Sequence, residues 1–335
     1  MRAIAYIMLV LLAACGGTAD QVELTGNALG TQFSVKLPTG TGEQDPAKLQ
    51  ELIEAVLARI DAQMSTYRPD SEINRFNTSR SIDWQPISAE LCRDIERAQA
   101  ISLLTDGAFD ITVAPLVDLW GFGPGAMIDT PPDDESISAL LAVTGFDKLH
   151  VDCDRPALKK DIPDLMVDLS AVGKGVAADR VGFTLDTLGY ESYLVEIGGE
   201  LAIRGSNADG VPWAIGIEAP LPDQRRPHVI VHLTESGMAT SGDYRNFFEA
   251  DGKIYSHTID TRTGRPVTHN LASVTVIDEV AYRADALATA LLVMGPEEGL
   301  AFAEREELAV LMLIRTSADI EEQESAAFSR LRGTT

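Results

Sequence analysis

The chain has 335 residues, and 45% of them are hydrophobic, which suffices for one large core or two closely packed ones. It carries 27 basic and 51 acidic residues, so its formal net charge at pH 7 is −24. A surface of this charge repels nucleic-acid phosphates and anionic lipid headgroups, and we expect neither as a partner. The sequence also lacks zinc-binding Cys and His spacings and the common nucleotide-binding and hydrolase motifs.

The first residues have the composition of an export signal. Arg2 gives a positive start, and residues 3–12 form an uncharged apolar run that is too short for a permanent membrane-spanning helix. The run ends in Leu12-Ala13-Ala14-Cys15, where two small residues precede a cysteine. This order is typical of a lipoprotein, in which the cysteine carries an acyl anchor. The alternative is an ordinary signal peptide cut near Ala14, with Cys15 incidental.

We therefore expect three segments along the chain. Residues 1–14 form a signal peptide, residues 15–21 form a tether that is lipidated at Cys15, and residues 22–330 form a single globular domain. The expected location is the periplasmic face of a membrane. Membrane contact is expected through the lipid anchor only.

The globular domain begins with strands and continues with a helix. Val22 to Leu37 predicts two short strands around a turn at Gly26 to Gly30. Pro46 to Met64 predicts an amphipathic helix, because its large apolar residues recur at helical spacing. These residues are Leu49, Leu52, Ile53, Val56, Leu57, Ile60 and Met64.

The next segment predicts loops around a second helix. Residues 65–72 form a loop interrupted by a proline. The helix is expected to start at the N-cap Ser88 and to run toward Asp106, with Gly107 ending it. Gly121 to Asp134 is rich in Gly, Pro and Asp and predicts a surface loop.

Beyond residue 160 the pattern becomes richer in strands. A strand at Leu165 to Leu169 is expected to lead into a helix that ends at Leu188. Further strands are predicted at 192–197, 200–205, 213–218, 228–234, 240–243, 255–260, 273–277 and 308–314, and helices at 283–294 and 297–306. Helices interleaved with hairpin-like, mostly antiparallel strands predict the α+β class.

Two cysteines follow Cys15 in the chain. Cys92 and Cys153 could pair in an oxidising compartment, or they could remain buried free thiols. The sequence leaves both possibilities open.

Four polar clusters could carry chemistry, and the first spans residues 168–175 at a strand-to-helix junction. Free backbone N–H groups and the positive end of the helix suit a phosphate, and Lys174 adds a mobile positive charge. Asp168 could accept a hydrogen bond from a ring N–H or a hydroxyl. The alternative is a capped helix start with a solvated lysine.

The second cluster lies on an apolar helix. Asp285 and Thr289 are four residues apart and so share one helix face. A carboxylate with a hydroxyl makes a weak site for a hard cation, which needs further oxygen ligands. The alternative is an aspartate that complements the helix dipole and a threonine bonded back to its own helix.

The third cluster contains His257, in a predicted strand that ends in a polar turn. A histidine titrates near neutrality and could serve as a general base toward a hydroxyl, although a lone strand histidine is more often structural. Arg262 and Arg265 could hold the turn or attract phosphate.

The fourth cluster is residues 238–245, with Gly198-Gly199-Glu200 upstream. The two glycines permit a close backbone approach, or they form a bulge in a strand. None of the four clusters decides a function by itself.

Seven motifs, taken together and in this order, resemble the ApbE family of FAD:protein FMN transferases. They are Ser65-Thr66-Tyr67-Arg68-Pro69-Asp70-Ser71-Glu72-Ile73, Gly107-Ala108-Phe109-Asp110, Asp168 to Gly175, Val195-Glu196-Ile197-Gly198-Gly199-Glu200, Ala239 to Arg245, Ser256-His257-Thr258-Ile259-Asp260 and Ala284 to Thr289. The resemblance covers the chain from Leu24 to Ile314. Two positions depart from the family pattern: Leu29 stands where methionine is frequent, and Thr261 stands where proline is frequent.

The resemblance implies that FAD binds in a cleft between two closely associated lobes, with Mg²⁺ at its pyrophosphate. The implied magnesium ligands are the backbone oxygen of Ala171 and the side chains of Asp285 and Thr289. Tyr67 would stack on the flavin or the adenine. The other residues implied at the FAD site are Leu29, Ala108, Phe109, Asp110, Asp168, Lys174 and Thr258.

The implied reaction is a phosphoryl transfer. A Thr or Ser hydroxyl of an acceptor protein attacks the FMN-side phosphorus of FAD, AMP leaves, and His257 takes the hydroxyl proton. The implied acceptors are subunits of electron-transport complexes. Two rival functions are a Mg²⁺-dependent FAD pyrophosphatase that gives FMN and AMP, and a non-catalytic flavin-binding lipoprotein.

Overall fold

The fold is that of a computed structural model, which describes residues 21–40, 45–125, 128–221, 226–244, 247–250, 253–317 and 319–333. The predictions for the signal peptide, for Cys15 and for residues 16–20 of the tether lie outside these ranges.

Helices and strands alternate along the described residues. The helices are α1 (Pro46–Met64), α2 (Glu72–Thr78), α3 (Ala89–Leu104), α4 (Ala114–Leu119), α5 (Asp134–Leu141), α6 (Gly173–Thr187), α7 (Ala281–Arg305) and α8 (Ala326–Gly333), with a 3-10 turn at Phe146–Lys148. The strands are β1 (Gln21–Ala28), β2 (Thr31–Pro38), β3 (Gln85–Pro86), β4 (Leu149–Asp152), β5 (Ala157–Lys160), β6 (Tyr193–Ile197), β7 (Glu200–Arg204), β8 (Trp213–Glu218), β9 (Pro227–Leu233), β10 (Glu235–Gly242), β11 (Phe247–Ala250), β12 (Lys253–Ser256), β13 (Ile259–Asp260), β14 (Arg265–Pro266), β15 (Leu271–Asp278), β16 (Ala309–Arg315) and β17 (Ile320–Glu324).

The centre of the molecule is an eight-stranded sheet with the strand order β1-β2-β6-β7-β10-β15-β16-β17. Each neighbouring pair in this sheet is antiparallel. The smaller sheets are β3-β5-β4 and the pairs β8-β9, β11-β12 and β13-β14. This architecture confirms the predicted α+β class.

Helices cover one face of the central sheet, where α1, α6 and α7 pack over the largest apolar core. The predicted bounds of α1 are confirmed, and its buried face holds Leu49, Ile53, Leu57, Ile60 and Met64. Leu52, however, is 40% exposed, because it lies at the margin of the apolar stripe.

The hairpin β8-β9 and helix α8 cover the opposite face. Trp213, Ile215 and Val231 of the hairpin join Leu311 of the sheet and Phe328 of α8 in a second apolar core. The central sheet is therefore buried on both faces, which explains why β16 is apolar almost throughout.

Helix α7 joins the two helices that were predicted at 283–294 and 297–306. The two halves meet at a kink, where Gly295 has a φ of 80° and Pro296 follows. The length and hydropathy of α7 would suit a membrane span, but 67% of its apolar stretch is buried inside the protein. It is the core helix that packs on β10 and β15.

A smaller lobe has its own apolar core, formed by Leu116, Trp120, Ile137 and Ile259. The indole Nε1 of Trp120 donates a hydrogen bond to the carbonyl oxygen of Gly264 at 2.8 Å, which ties α4 to the β13-β14 turn. This lobe faces the helix-covered side of the sheet across a cavity.

The strand predicted at Leu165 to Leu169 is wrong. The side chain of Asn77 takes both backbone hydrogen bonds of Val167, at 2.8 Å each, and the N–H of Asp168 donates to the carbonyl of Ile111 at 2.7 Å. The segment is extended and buried, but a side chain replaces the neighbouring strand, so no ladder forms.

The single strand predicted at 255–260 is also wrong, because the chain bends between β12 and β13. The hydroxyl of Ser256 accepts a hydrogen bond from the N–H of Thr258 at 3.1 Å. This local turn interrupts the strand at His257. Helices α2, α4, α5 and α8 and strands β3, β4, β5, β11, β14 and β17 were not predicted. The four helices are too short for a helical period to stand out in the sequence.

The structure pairs Cys92 with Cys153, the alternative that the sequence left open. The bond joins α3 to the turn between β4 and β5, across a sequence separation of 61 residues. The disulfide closes a covalent loop, and the chain within this loop forms one wall of the cavity.

Candidate active site

A cavity of about 440 Å³ lies between the two lobes. It brings together eleven residues that the sequence placed at the site, although they are spread over more than 220 positions of the chain. These are Tyr67, Ala108, Phe109, Asp110, Asp168, Ala171, Lys174, His257, Thr258, Asp285 and Thr289. Leu29, the remaining predicted residue, does not line this cavity.

Leu29 lies in the turn between β1 and β2 and packs against the main core. Its φ of 52° is in the left-handed region, where it and Gly30 make the two-residue turn of the hairpin. Thr31, at the start of β2, approaches Gly198 at the rim of the cavity. Leu29 therefore shapes the turn beside the site rather than the cavity wall.

The floor of the cavity is the contact between α6 and α7. A side chain at Gly175 would meet the carbonyl oxygen of Ala281 at 2.6 Å, so only glycine lets the two helices approach this closely. The carboxylate of Asp179 accepts hydrogen bonds from the N–H groups of Ala281 and Tyr282, at 2.9 Å each. Asp179 thus caps α7 from α6 and fixes the helix that carries Asp285.

Asp285 is 2% exposed and is held from two sides. Its Oδ2 accepts the backbone N–H of Gly175 at 3.0 Å, and its Oδ1 lies 3.8 Å from the Nζ of Lys174. Burial raises the pKa of the Asp285 carboxyl, and the positive charge of Lys174 opposes that rise. Asp285 therefore does more than complement the helix dipole, which was the alternative interpretation.

Lys174 lies between two buried carboxylates, since its Nζ is also 3.1 Å from Oε1 of Glu200. Burial alone would lower the pKa of Lys174, but the charges of Asp285 and Glu200 outweigh it and raise the pKa. The lysine is therefore a held cation at the start of α6, rather than the freely solvated side chain of the alternative interpretation.

The oxygen ligands implied for magnesium lie close to this ion pair. Ala171 lies just before α6, and the N–H of Gly175, one of the donors in the first turn of α6 that have no partner within the helix, donates to Asp285. The hydroxyl of Thr289 lies 3.1 Å from that of Ser241, and both line the cavity. The donor set of carbonyl, carboxylate and hydroxyl oxygens suits a hard cation.

Tyr67 stands at the mouth of the cavity and is 67% exposed. The side-chain amide of Asn74, on α2, donates to the carbonyls of Thr66 and Arg68 at 2.7 and 2.8 Å and fixes the loop on both sides of Tyr67. Partial burial and the charges of Asp168 and Asp118 raise the pKa of its hydroxyl. An exposed ring on a rigid loop suits stacking on a planar ligand.

Asp168 and Asp110 support the backbone of the cavity wall. Asp168 accepts the N–H of Ser170 at 2.7 Å in a local turn before α6. Both oxygens of Asp110 are engaged, by the N–H and hydroxyl of Thr112 at 2.7 Å each and by the N–H of Phe146 at 2.9 Å. Asp110 therefore positions the wall that includes Phe109.

His257 lies directly after β12, where the bend of the chain turns it toward the cavity. Its ring contacts Phe122 edge-on, with ring centroids 6.3 Å apart. Thr258 is buried beside it, and its carbonyl accepts the N–H of Val267 at 3.0 Å. The histidine thus sits on the side of the cavity formed by the smaller lobe, across from α6 and α7.

Arg262 and Arg265 hold the turn after His257. Arg262 pairs with Asp260 at 3.0 Å and with Glu298 at 2.9 Å, and Arg265 pairs with Asp134 at 2.6 Å. Neither arginine lines the cavity, so the phosphate-attracting alternative has no support here.

Sequence reasoning gave no role to Glu200, which lines the cavity and is only 3% exposed. The signal was present: a carboxylate follows a Gly-Gly turn and precedes the apolar run Leu201-Ala202-Ile203. A charge on such a strand is costly unless it is paired. Its partner, Lys174, is 26 positions away in sequence, and only the fold brings the two together.

The chain is similar in structure to solved flavin transferases. The chain aligns with the flavin transferase ApbE from Vibrio cholerae at a TM-score of 0.87 and 44% identity, over 94% of this chain and 100% of that one. It aligns with the ApbE protein from Thermotoga maritima at a TM-score of 0.82 and 29% identity, over 93% of this chain and 99% of that one.

Curated relatives give the same result from sequence. An FAD:protein FMN transferase of Vibrio cholerae is 45% identical over 325 residues, covering 97% of each chain. One of Haemophilus influenzae is 40% identical over 336 residues, covering 99% of this chain and 97% of that one. The model of the ApbE family matches residues 29–312. The chain belongs to the ApbE family, as the seven motifs predicted.

Proposed function

We propose that this protein transfers FMN from FAD to a Thr or Ser hydroxyl of an acceptor protein and releases AMP. Relatives named FAD:protein FMN transferase, similar over nearly the whole chain, support this function. The observation that carries it is the single cavity that gathers Lys174, Asp285, Thr289 and His257.

The bond changes of the proposed reaction are simple. The acceptor oxygen forms a bond to the FMN-side phosphorus of FAD, the bond from that phosphorus to the bridging oxygen breaks, and AMP leaves with the bridging oxygen. The acceptor proton passes to His257, which is the only histidine along the cavity lining of the described residues.

Residues on the two walls of the cavity bind different parts of the two substrates. Lys174 and the positive N-terminal end of α6 attract and orient the pyrophosphate. Tyr67 stacks on one of the ring systems of FAD at the mouth. His257, on the opposite lobe, receives the acceptor, so the hydroxyl approaches from the side away from α6.

A magnesium ion fits the oxygen atoms of the floor. Asp285, Thr289 and the carbonyl of Ala171 would hold it, with phosphate oxygens and water completing the coordination. When bound, it would neutralise the negative charge that accumulates on the pyrophosphate.

The deciding experiment incubates the purified protein with FAD, Mg²⁺ and a flavinylatable acceptor domain, and analyses all products by mass spectrometry. A covalent FMN adduct on the acceptor together with AMP is the expected result. Free FMN in the absence of acceptor would identify a pyrophosphatase instead. FAD that stays intact for hours with every component present would identify a flavin-binding protein without activity.

We also propose that the protein is an exported lipoprotein anchored through Cys15, with acceptors among electron-transport subunits that face the same compartment. The N-terminal pattern supports this, and the Cys92–Cys153 disulfide is typical of an oxidising compartment. Cys15→Ser should move the protein from the membrane fraction to the soluble fraction and abolish labelling with a palmitate analogue. Retention in the membrane after this change would contradict the anchor.

A further inference from the structure

Lys174 is shared unequally between two carboxylates of the cavity. Its Nζ lies 3.1 Å from Oε1 of Glu200 but 3.8 Å from Oδ1 of Asp285. Only the shorter distance is a direct hydrogen bond. The ammonium group is therefore hydrogen-bonded to Glu200, and Oδ1 of Asp285 has only the longer ion-pair contact with it.

The turn between β6 and β7 is built to hold the lysine in this position. Gly198 has a φ of 62°, and a side chain there would lie 3.2 Å from Cδ of Lys174 and 2.8 Å from Thr31. The aliphatic stem of Lys174 thus passes over a bare glycine, and Glu200 receives its charged end two residues later. These contacts come from the Gly-Gly-Glu motif, which the proposed reaction does not otherwise use.

Glu200 is poorly explained as a residue that serves stability alone. It is 3% exposed, and its Oε2 is buried and has no hydrogen-bond partner among the residues that the structure describes. A buried carboxylate with an unsatisfied oxygen is unfavourable for folding. Glu200 is therefore unfavourable for folding and yet lies on the wall of the cavity. This combination indicates that it has a role in the site.

We propose that Glu200 is a positioning residue that holds the Lys174 ammonium off Asp285, so that Oδ1 of Asp285 stays available to a divalent cation. The inference rests on the proposed function in one respect, namely that Asp285 is a ligand of that cation. Without the charge of Glu200, Lys174 would close on Asp285, because no other acidic group among its described partners competes for it. The lysine would then occupy the oxygen that the cation needs.

The test is binding of Mn²⁺ alone to the full purified chain, measured from the EPR signal of free Mn²⁺. Glu200→Gln keeps the shape and removes the charge, and it should weaken Mn²⁺ binding by about tenfold or more. Glu200→Asp keeps the charge and should bind within about threefold of the unmodified protein. Glu196→Gln, on the exposed face of the same hairpin, is the matched control and should change nothing.

A second pair of variants separates positioning from a general loss of charge. Lys174→Met removes the competing cation, so it should bind Mn²⁺ at least as tightly as the unmodified protein. Adding Lys174→Met to Glu200→Gln should restore the binding that Glu200→Gln loses. A ligand role of Glu200 itself, or damage to the fold, would give no such restoration.

The idea is overturned if Glu200→Gln binds Mn²⁺ as tightly as the unmodified protein, or if Lys174→Met fails to restore binding in the double variant. Thermal unfolding, followed by circular dichroism, shows whether each variant is folded. If Glu200→Gln does not fold, Lys174→Met alone tests whether Lys174 competes with the cation for Asp285. FMN transfer by the unmodified protein is assayed in parallel. A protein that binds Mn²⁺ as expected but transfers no FMN would contradict the proposed function. It would not contradict the inference that Glu200 positions Lys174.

Discussion

The backbone N–H of Gly175 donates to Oδ2 of Asp285 at 3.0 Å, which joins the first turn of α6 to the N-terminal part of α7. One oxygen of Asp285 therefore maintains the contact between two helices, while the other faces Lys174 and the cavity. The same carboxylate therefore contributes to the fold through one oxygen and to the site through the other. A suitable substitution can separate these two roles.

Asp285→Asn should separate the two roles. The amide oxygen of asparagine can still accept from Gly175, so the midpoint of thermal unfolding should change by only a few degrees, whereas the lost charge should reduce FMN transfer by about a hundredfold or more. Asp209→Asn, in an exposed turn, is the matched control. Transfer at the unmodified rate with Asn at position 285 would rule out a metal-binding role for this carboxylate.

His257→Ala should bind FAD but transfer FMN about 10² to 10⁴ times more slowly, because a general base usually contributes that much to the rate. Quenching of flavin fluorescence measures binding, and mass spectrometry of the acceptor measures transfer. His232→Ala, on the exposed side of β9, should keep full activity. If His257→Ala transfers at the normal rate, another group must take the acceptor proton.

Asp179 should make stability depend on pH. Burial raises its pKa from 3.8 to about 6, against the hydrogen bonds from Tyr282 and Ala281. Because the folded state binds this proton more tightly than the unfolded state, its contribution is fully present below about pH 4 and is lost as pH rises through 6. Between pH 5 and pH 7 the free energy of unfolding should therefore fall by about 1 kcal/mol more than in Asp179→Asn. Urea denaturation of both proteins at the two pH values measures the difference, and parallel pH profiles would refute the assignment.

The disulfide should contribute strongly to stability, since it restricts a long segment of the unfolded chain. The double variant Cys92→Ser/Cys153→Ser should lower the free energy of unfolding by about 2 to 4 kcal/mol, measured by urea denaturation. Dithiothreitol should cause a similar loss in the unmodified protein and none in the double variant. Equal stability of the two oxidised proteins would mean that the bond constrains little.

The sequence predicted the parts of the fold that local patterns determine. Helix α1 was predicted with its observed bounds, because its apolar spacing and its proline at the start act within a single segment. Leu165 to Leu169 was mistaken for a strand because its hydrogen-bond partner, Asn77, lies about ninety positions earlier. No pattern within a short window reports such a partner.

The candidate site was predicted from the order of seven motifs rather than from any one of them. Asp285 and Lys174 both line the cavity, yet each motif had an ordinary structural alternative. Glu200 remained without a role because its importance comes from a distance to Lys174, which only the packed structure defines. Asp179 was missed for the same reason, since it caps a helix that starts about a hundred residues later.

The Cys92–Cys153 bond turns one wall of the cavity into a covalent ring, which contains Phe109 and the exposed Pro124 and Gly125. A protease that cuts once at Pro124 or Gly125 would open the ring without releasing a fragment. The nicked protein would migrate as one band on a denaturing gel and as two after reduction. Scission at the rim of the site would thus leave both halves of the wall attached to the same molecule.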